Sequence, residues 1–221
     1  ELSYVNNTHN KVHTYDICTA IPKGTKYFAW FTYYKNQNIC LLMSISSNKL
    51  ITDIKPHIVS FDDELSLGTV LYGTLVIEKL DNTKMFIIED IYHYCGKDVS
   101  KYKFLDKCLL FKEIFETKIN QVKYIDDCLV FGLPIMHTKL YDLEKMMSSV
   151  SYPIYCIQYR RNIKNSTIIN VKHTNNKSFS IFIVRPDVKN DVYHLYGLKN
   201  HREHYSDIAH IPDYKTSVMM N

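Results

Sequence analysis

The sequence lacks the short motifs that usually reveal an enzyme. Its 221 residues include only six glycines, and none of them forms the glycine-rich loop that cradles phosphates in P-loop proteins. The HExxH zinc motif and the turn that presents a nucleophilic serine in hydrolases are also missing. No apolar run approaches the roughly 18 residues needed to cross a bilayer. We therefore expect no P-loop enzyme, zinc protease, serine hydrolase or membrane partner.

Neither sign of charge is in large excess. The chain has 27 Lys and Arg residues against 23 Asp and Glu residues, a net charge of +4. That value excludes a histone-like polycation but permits a local basic groove. The six cysteines contain no CxxC pair, and most lie in apolar runs, as Cys40 and Cys108 do. Buried, reduced thiols of this kind are typical of cytosolic or nuclear proteins.

Hydrophobic residues make up 46% of the chain, and their spacing predicts an α+β fold with mainly antiparallel sheets. Two helices are expected where apolar residues recur at helical spacing, over residues 101–119 and 139–150. Strands are expected where β-branched and aromatic residues cluster between polar turns. The predicted strands cover residues 27–32, 39–46, 69–78, 84–92, 128–133, 154–159, 168–173 and 178–185.

The order of several short segments resembles the mRNA guanylyltransferases and DNA ligases. Residues 71–76, 86–91 and 96–99 read LYGTLV, FIIEDI and GKDV, in the order of the family's third-motif region. Residues 155–159 and 182–186 (YCIQY and FIVRP) resemble its fourth and fifth motifs, and residues 29–44 resemble the hairpin that carries its nucleophile. The resemblance implies a guanylyltransferase-like nucleotidyltransferase domain over residues 20–196, with an N-terminal extension over 1–19 and a C-terminal tail over 197–221.

The departures from the family pattern predict a protein without catalytic residues. The family's Lys-x-Asp-Gly motif, whose lysine takes the nucleotide covalently, has no counterpart near Trp30. A nucleophilic lysine needs a pKa lowered by burial or by a neighbouring cation, and Lys35 lies in a polar turn. The metal-directing Asp-Gly-Glu positions read Tyr72-Gly73-Thr74. The fifth motif keeps a cation only at Arg185. Because the metal-directing carboxylate is missing, no metal or cofactor is expected.

A pseudoenzyme with this motif order is similar to the m3G-cap-binding domain of snurportin. The resemblance implies a module that binds the 5′ cap of an mRNA or a guanine nucleotide. The compositional bias, with 18 tyrosines and few glycines, favours a large DNA virus as the source, and hence the host cytoplasm or a viral factory as the location. The alternative is a scaffold subunit of a viral transcription, capping or translation complex.

Four aromatic residues are candidates for stacking on the base of such a ligand: Trp30, Tyr34, Tyr72 and Tyr92. An electron-poor methylated base is attracted to an aromatic face. Strand alternation places Trp30 and Tyr34 on one face. Each residue also has a simpler interpretation: Trp30 as a core aromatic, Tyr72 as a packing residue and Tyr92 as part of a surface turn.

Three arginines are candidates for holding a phosphate chain: Arg160, Arg161 and Arg185. Arginine donates paired hydrogen bonds to phosphate oxygens, and each of these residues lies at the end of a predicted strand. The alternative is solvated surface charge. The histidines around Glu203 suggest a weak metal motif, but a solvated tail is the simpler interpretation.

Overall fold

The computed structural model describes most of the chain. The described residues are 14–46, 48, 50–78, 82–125, 127–164, 166–173, 182–189, 191–199, 202–209, 211 and 217–218. They form two compact units, Glu1–Thr174 and Asn175–Asn221. The domain boundaries after residues 19 and 196 stay a prediction from the sequence.

The first unit is built on a seven-stranded large sheet, in which six strands follow the order β4-β3-β2-β5-β6-β7 and β8 pairs with β6. The β6–β8 pair is parallel, and the other pairs are antiparallel. The strands are β2 (Thr25–Tyr34), β3 (Gln37–Ile45), β4 (Ile51–His57), β5 (Leu67–Ile77), β6 (Lys84–Tyr94), β7 (Lys97–Asp98) and β8 (Val130–Gly132).

A four-stranded small sheet completes the first unit, in the order β11-β10-β1-β9. Its strands are β1 (Ile17–Pro22), β9 (Met136–His137), β10 (Ile154–Arg160) and β11 (Ile169–Lys172). Helix α2 (Leu140–Met146) buries Leu143 in a cluster with Cys18, Ala20 and Ile157 of this sheet.

The main core lies against the large sheet. Helix α1 (Phe104–Glu113) continues into one turn of π-helix over Ile114–Lys118, within the region predicted as a helix. Phe111 and Ile114 pack with Phe31, Phe86 and Ile88 in this core. Burial of these large apolar side chains stabilises the fold by about 25 cal/mol for each Å² removed from water.

The second unit contains the three-stranded sheet β12-β13-β14. Its strands are β12 (Ile183–Pro186), β13 (Tyr193–Lys199) and β14 (Arg202–Ile208), so the predicted tail includes a strand.

The predicted α+β class with mainly antiparallel sheets is confirmed. Part of the predicted strand over residues 178–185, and two of the histidines of the metal motif, lie outside the described residues.

Candidate functional site

The site begins at a β-bulge in strand β6. Tyr72 of β5 pairs with Asp90, whereas Gly73 pairs with Ile88, so Glu89 is the extra residue between them. A Cβ atom on Gly73 would lie 2.1 Å from the carbonyl oxygen of Ile87, so only glycine fits beside the bulge. Every residue of β6 from Phe86 to Ile91 is buried, so the consecutive acids Glu89 and Asp90 are both buried.

Glu89 forms a buried ion pair with Lys26 of strand β2. The Lys26 ammonium donates to Glu89 Oε1 at 2.5 Å, and the Thr74 hydroxyl, which lies opposite Lys26 on β5, donates to the same oxygen. Burial lowers the pKa of Lys26, and Glu89 partly opposes that effect. Glu89 Oε2 is buried and has no hydrogen-bond partner among the described residues. A nucleophilic lysine needs a pKa lowered by burial or by a neighbouring cation. Lys26 is buried and Lys35 is not, but the Lys26 ammonium is paired with a carboxylate.

Asp90 holds two cations from different parts of the first unit. Its Oδ1 accepts from Lys107 Nζ of helix α1 at 2.7 Å, and its Oδ2 accepts from Arg160 Nη1 of strand β10 at 3.2 Å. Arg160 also donates from Nε to Gln158 at 2.7 Å and from Nη2 to the carbonyl oxygen of Glu89 at 3.1 Å. These contacts fix the two cations and join the large sheet to the small sheet.

Asp90, Lys107 and Arg160 of this network line an open cleft of about 330 Å³. Its lining includes four basic side chains, Lys101, Lys107, Arg160 and Arg161, and one carboxylate, Asp90. The cleft therefore has an excess of three positive charges. Such a concentration of charge in a concave, partly desolvated site attracts a multiply charged anion.

Three aromatic residues also line the cleft: Tyr92, Tyr102 and Phe104. The Arg160 guanidinium lies 4.1 Å from the centre of the Phe104 ring, so this face of Phe104 is occupied. Tyr102 is 47% exposed, so its side chain is accessible to a ligand in the cleft. Burial, reinforced by the nearby Asp90 charge, raises the pKa of Tyr92 from 10.0 to about 12.

Of the four aromatic residues predicted from the sequence, Tyr92 is the one that lines the cleft. Tyr72 is buried and packs against Phe28, with ring centres 5.5 Å apart, and against Tyr92 at 6.5 Å. Trp30 is 37% exposed on β2, and Tyr34 is 56% exposed at the end of that strand. Neither lines the cleft, so their proposed contact with a base stays a prediction.

The structure brings together two of the three predicted arginines. Arg160 lies in the floor of the cleft and Arg161 at its rim, where its side chain is exposed. Arg185 belongs to the second unit, where its Nη2 donates to Glu203 at 2.5 Å and its guanidinium lies 5.0 Å from the centre of the Tyr196 ring. A phosphate-binding role for the three arginines stays a prediction.

Sequence reasoning missed several residues of the site: Lys26, Glu89, Asp90, Lys101, Tyr102, Phe104 and Lys107. One signal was visible in the sequence. Two adjacent acids interrupt the otherwise apolar run of β6, and buried carboxylates require cations or hydrogen-bond donors as partners. The partners themselves are distant along the chain, so their identity depends on the tertiary fold.

The described residues contain neither a candidate metal centre nor a candidate membrane span. No cluster of three or more His, Cys, Asp or Glu side chains within them is placed to hold a metal ion. In the same part of the chain, no helix has both the length and the apolar character of a membrane span.

No family model matches the chain, whereas comparisons with known proteins give matches by sequence and by structure. The chain is 24% identical over 228 residues to uncharacterized protein L308 of Acanthamoeba polyphaga mimivirus, covering 98% of this chain and 67% of that protein. A mycobacterial DNA ligase D complexed with ATP and MES is similar in structure, with a TM-score of 0.45 and 8% identity, over 100% of this chain and 77% of that chain. The mimivirus relative supports a large DNA virus as the source.

Proposed function

We propose that the chain is a non-catalytic module that binds a guanine nucleotide or the capped 5′ end of an mRNA in the cleft. The observation that carries the proposal is the excess of three positive charges beside exposed aromatic surface in one cleft. Its volume of about 330 Å³ is near the lower end of ordinary ligand pockets. The guanylyltransferase-like order of motifs supports a nucleotide over other phosphorylated ligands.

The ligand's phosphates are assigned to the cations at the mouth of the cleft. Lys107 and Arg160 already share Asp90, whereas Lys101 and Arg161 form no ion pair with another residue of the described chain. Lys107 is buried and its ammonium also lies 5.7 Å from the centre of the Tyr92 ring, so it adds positive charge beneath the phosphates. The base stacks on Tyr102 beside Tyr92, because aromatic side chains accept any base face and favour a methylated, positively charged one.

The absence of catalysis is part of the proposal. An attacking lysine must be unprotonated, but the contacts of Lys26 with Glu89 and Thr74 suit its protonated ammonium. The family's metal-directing Asp-Gly-Glu positions read Tyr72-Gly73-Thr74 in this chain, so they supply no side-chain carboxylate. A module of this kind fits a role in viral capping, transcription or translation, in the host cytoplasm or a viral factory.

A scaffold role is the second candidate. Leu105 and Leu109 lie one turn apart on helix α1 and are 47% and 67% exposed. Ile163, which lines the cleft, is 48% exposed. Exposed apolar side chains grouped in this way are typical of protein contact surfaces.

Calorimetric titration with a methylated cap dinucleotide tests the binding function. We expect Lys101→Ala and Arg161→Ala each to weaken binding about tenfold or more, because a hydrogen bond to a charged group contributes about 1.5–3 kcal/mol. Lys112→Ala is the matched control, since Lys112 lies on the exposed side of α1 and pairs with Glu116. Equal affinities in all four proteins would exclude the cleft as the phosphate site and favour the scaffold role.

A further inference from the structure

Arg161 is held between two fixed residues although its own side chain is exposed. The Asp16 backbone N–H donates to the carbonyl oxygen of Arg160 at 2.9 Å. The Asp16 carboxylate accepts from the backbone N–H of Asn162 at 2.7 Å through Oδ2. Asp16 therefore binds the residue before Arg161 and the residue after it.

Asn162 extends this connection to helix α1. Its side-chain Oδ1 accepts from the backbone N–H of Leu105 at 3.1 Å, one of the amides in the first helical turn that lack a partner within the helix. The helix's own N-cap residue, Lys103, makes no side-chain capping bond. Asn162 therefore caps α1 from a distant loop, and α1 carries both Phe104 and Lys107 into the cleft.

We propose that Asn162, fastened by Asp16, is a positioning residue that holds Arg161 at the cleft for the phosphates of the ligand. The inference rests on the proposed function, and it assigns a binding role to two residues that do not line the cleft themselves. Ordering a long side chain on binding costs about 0.5–1.5 kcal/mol. Ordering the loop adds to that cost, and the side-chain bond from Asn162 to Leu105 ties the loop that carries Arg161 to helix α1 before the ligand arrives.

A double-mutant cycle separates this role from general stabilisation. The variants are Asn162→Ala, Arg161→Ala and the double variant, and the probe is inorganic tripolyphosphate, titrated calorimetrically into the full chain. We expect Asn162→Ala to weaken binding about three- to tenfold and to have less than about a twofold effect once Arg161 is absent. Asn120→Ala is the control, because Asn120 also bonds a distant segment, through Ser60 at 3.0 Å.

Equal losses in both backgrounds would overturn the inference, since Asn162 would then act without Arg161. The NMR order parameter of the Arg161 Nε–H group gives a second measurement that needs no ligand. It should fall in Asn162→Ala and stay unchanged in Asn120→Ala. If the wild-type chain binds neither tripolyphosphate nor a cap analogue, the proposed function fails. If the order parameter of Arg161 is also unchanged in Asn162→Ala, the positioning role fails as well.

Discussion

Arg160 and Asp90 form a buried ion pair, Nη1 to Oδ2 at 3.2 Å, that joins the small sheet to the large sheet beneath the cleft. The second cation on the same carboxylate, Lys107, comes from helix α1. One negative charge therefore holds two positive charges in place. A site of this kind is rigid and still electropositive, which is the arrangement that binds an anion with little reorganisation.

The buried pair of Lys26 and Glu89 should matter strongly for stability. Glu89→Ala leaves the Lys26 ammonium buried without its carboxylate, and breaking such a pair costs about 3–5 kcal/mol. Urea unfolding of the variant, followed by circular dichroism, measures that loss. The double variant Lys26→Met/Glu89→Leu should recover most of it, because a buried ion pair is often replaceable by apolar residues. A loss below about 1 kcal/mol in Glu89→Ala would show that the pair is effectively solvated.

No covalent nucleotide should form on the protein. Incubation with radiolabelled GTP or ATP and a divalent metal should leave the chain unlabelled after denaturing electrophoresis, because the Lys26 ammonium is bound to a carboxylate. Lys26→Met provides the comparison. Labelling of the wild-type chain that disappears in this variant would identify Lys26 as a nucleophile and end the pseudoenzyme proposal.

Alkaline pH should destabilise the protein partly through Tyr92. Its pKa is raised from 10.0 to about 12 in the folded state, so between these values the unfolded state loses the phenolic proton and the folded state keeps it. Stability from this group is therefore complete below pH 10 and is lost as the pH rises towards 12. Tyr92→Phe should show a shallower fall in unfolding free energy over that range, with the exposed Tyr33→Phe as control. Identical pH profiles for wild type and Tyr92→Phe would contradict the burial of this phenol.

The fluorescence of Trp30, the only tryptophan, decides between two positions for the base. We expect a methylated cap analogue to leave its emission unchanged, because Trp30 does not line the cleft. Tyr102→Ala should weaken binding of the analogue by about 1–3 kcal/mol, the usual contribution of base stacking. Quenching of Trp30 at saturating analogue, with no effect of Tyr102→Ala, would instead place the base on strand β2.

The strands with alternating or apolar sequences were predictable, among them β2, β3, β5, β6 and β10. Strand β4 was not, because every residue from Ile51 to Pro56 is exposed and the run includes proline and charged side chains. Strand β1 was missed for the opposite reason. All six of its residues are buried, so no alternation marks it, and its first three residues were assigned to an N-terminal extension.

The candidate site was predictable only in part. Tyr92, Arg160 and Arg161 were identified from their positions at strand ends, and all three line the cleft. The network that organises them joins residues 70 positions apart, as Arg160 and Asp90 are. Pairing over that distance depends on how two sheets pack together, which local patterns do not encode.

Calorimetric titration of the full chain with guanosine, GMP and GTP under identical salt conditions tests the central claim most directly. The excess of three positive charges in the cleft predicts that affinity rises with each added phosphate and that the advantage of GTP shrinks as salt concentration increases. Equal affinity for guanosine and GTP, or no binding of GTP at millimolar concentration, would contradict a nucleotide-binding role for the cleft.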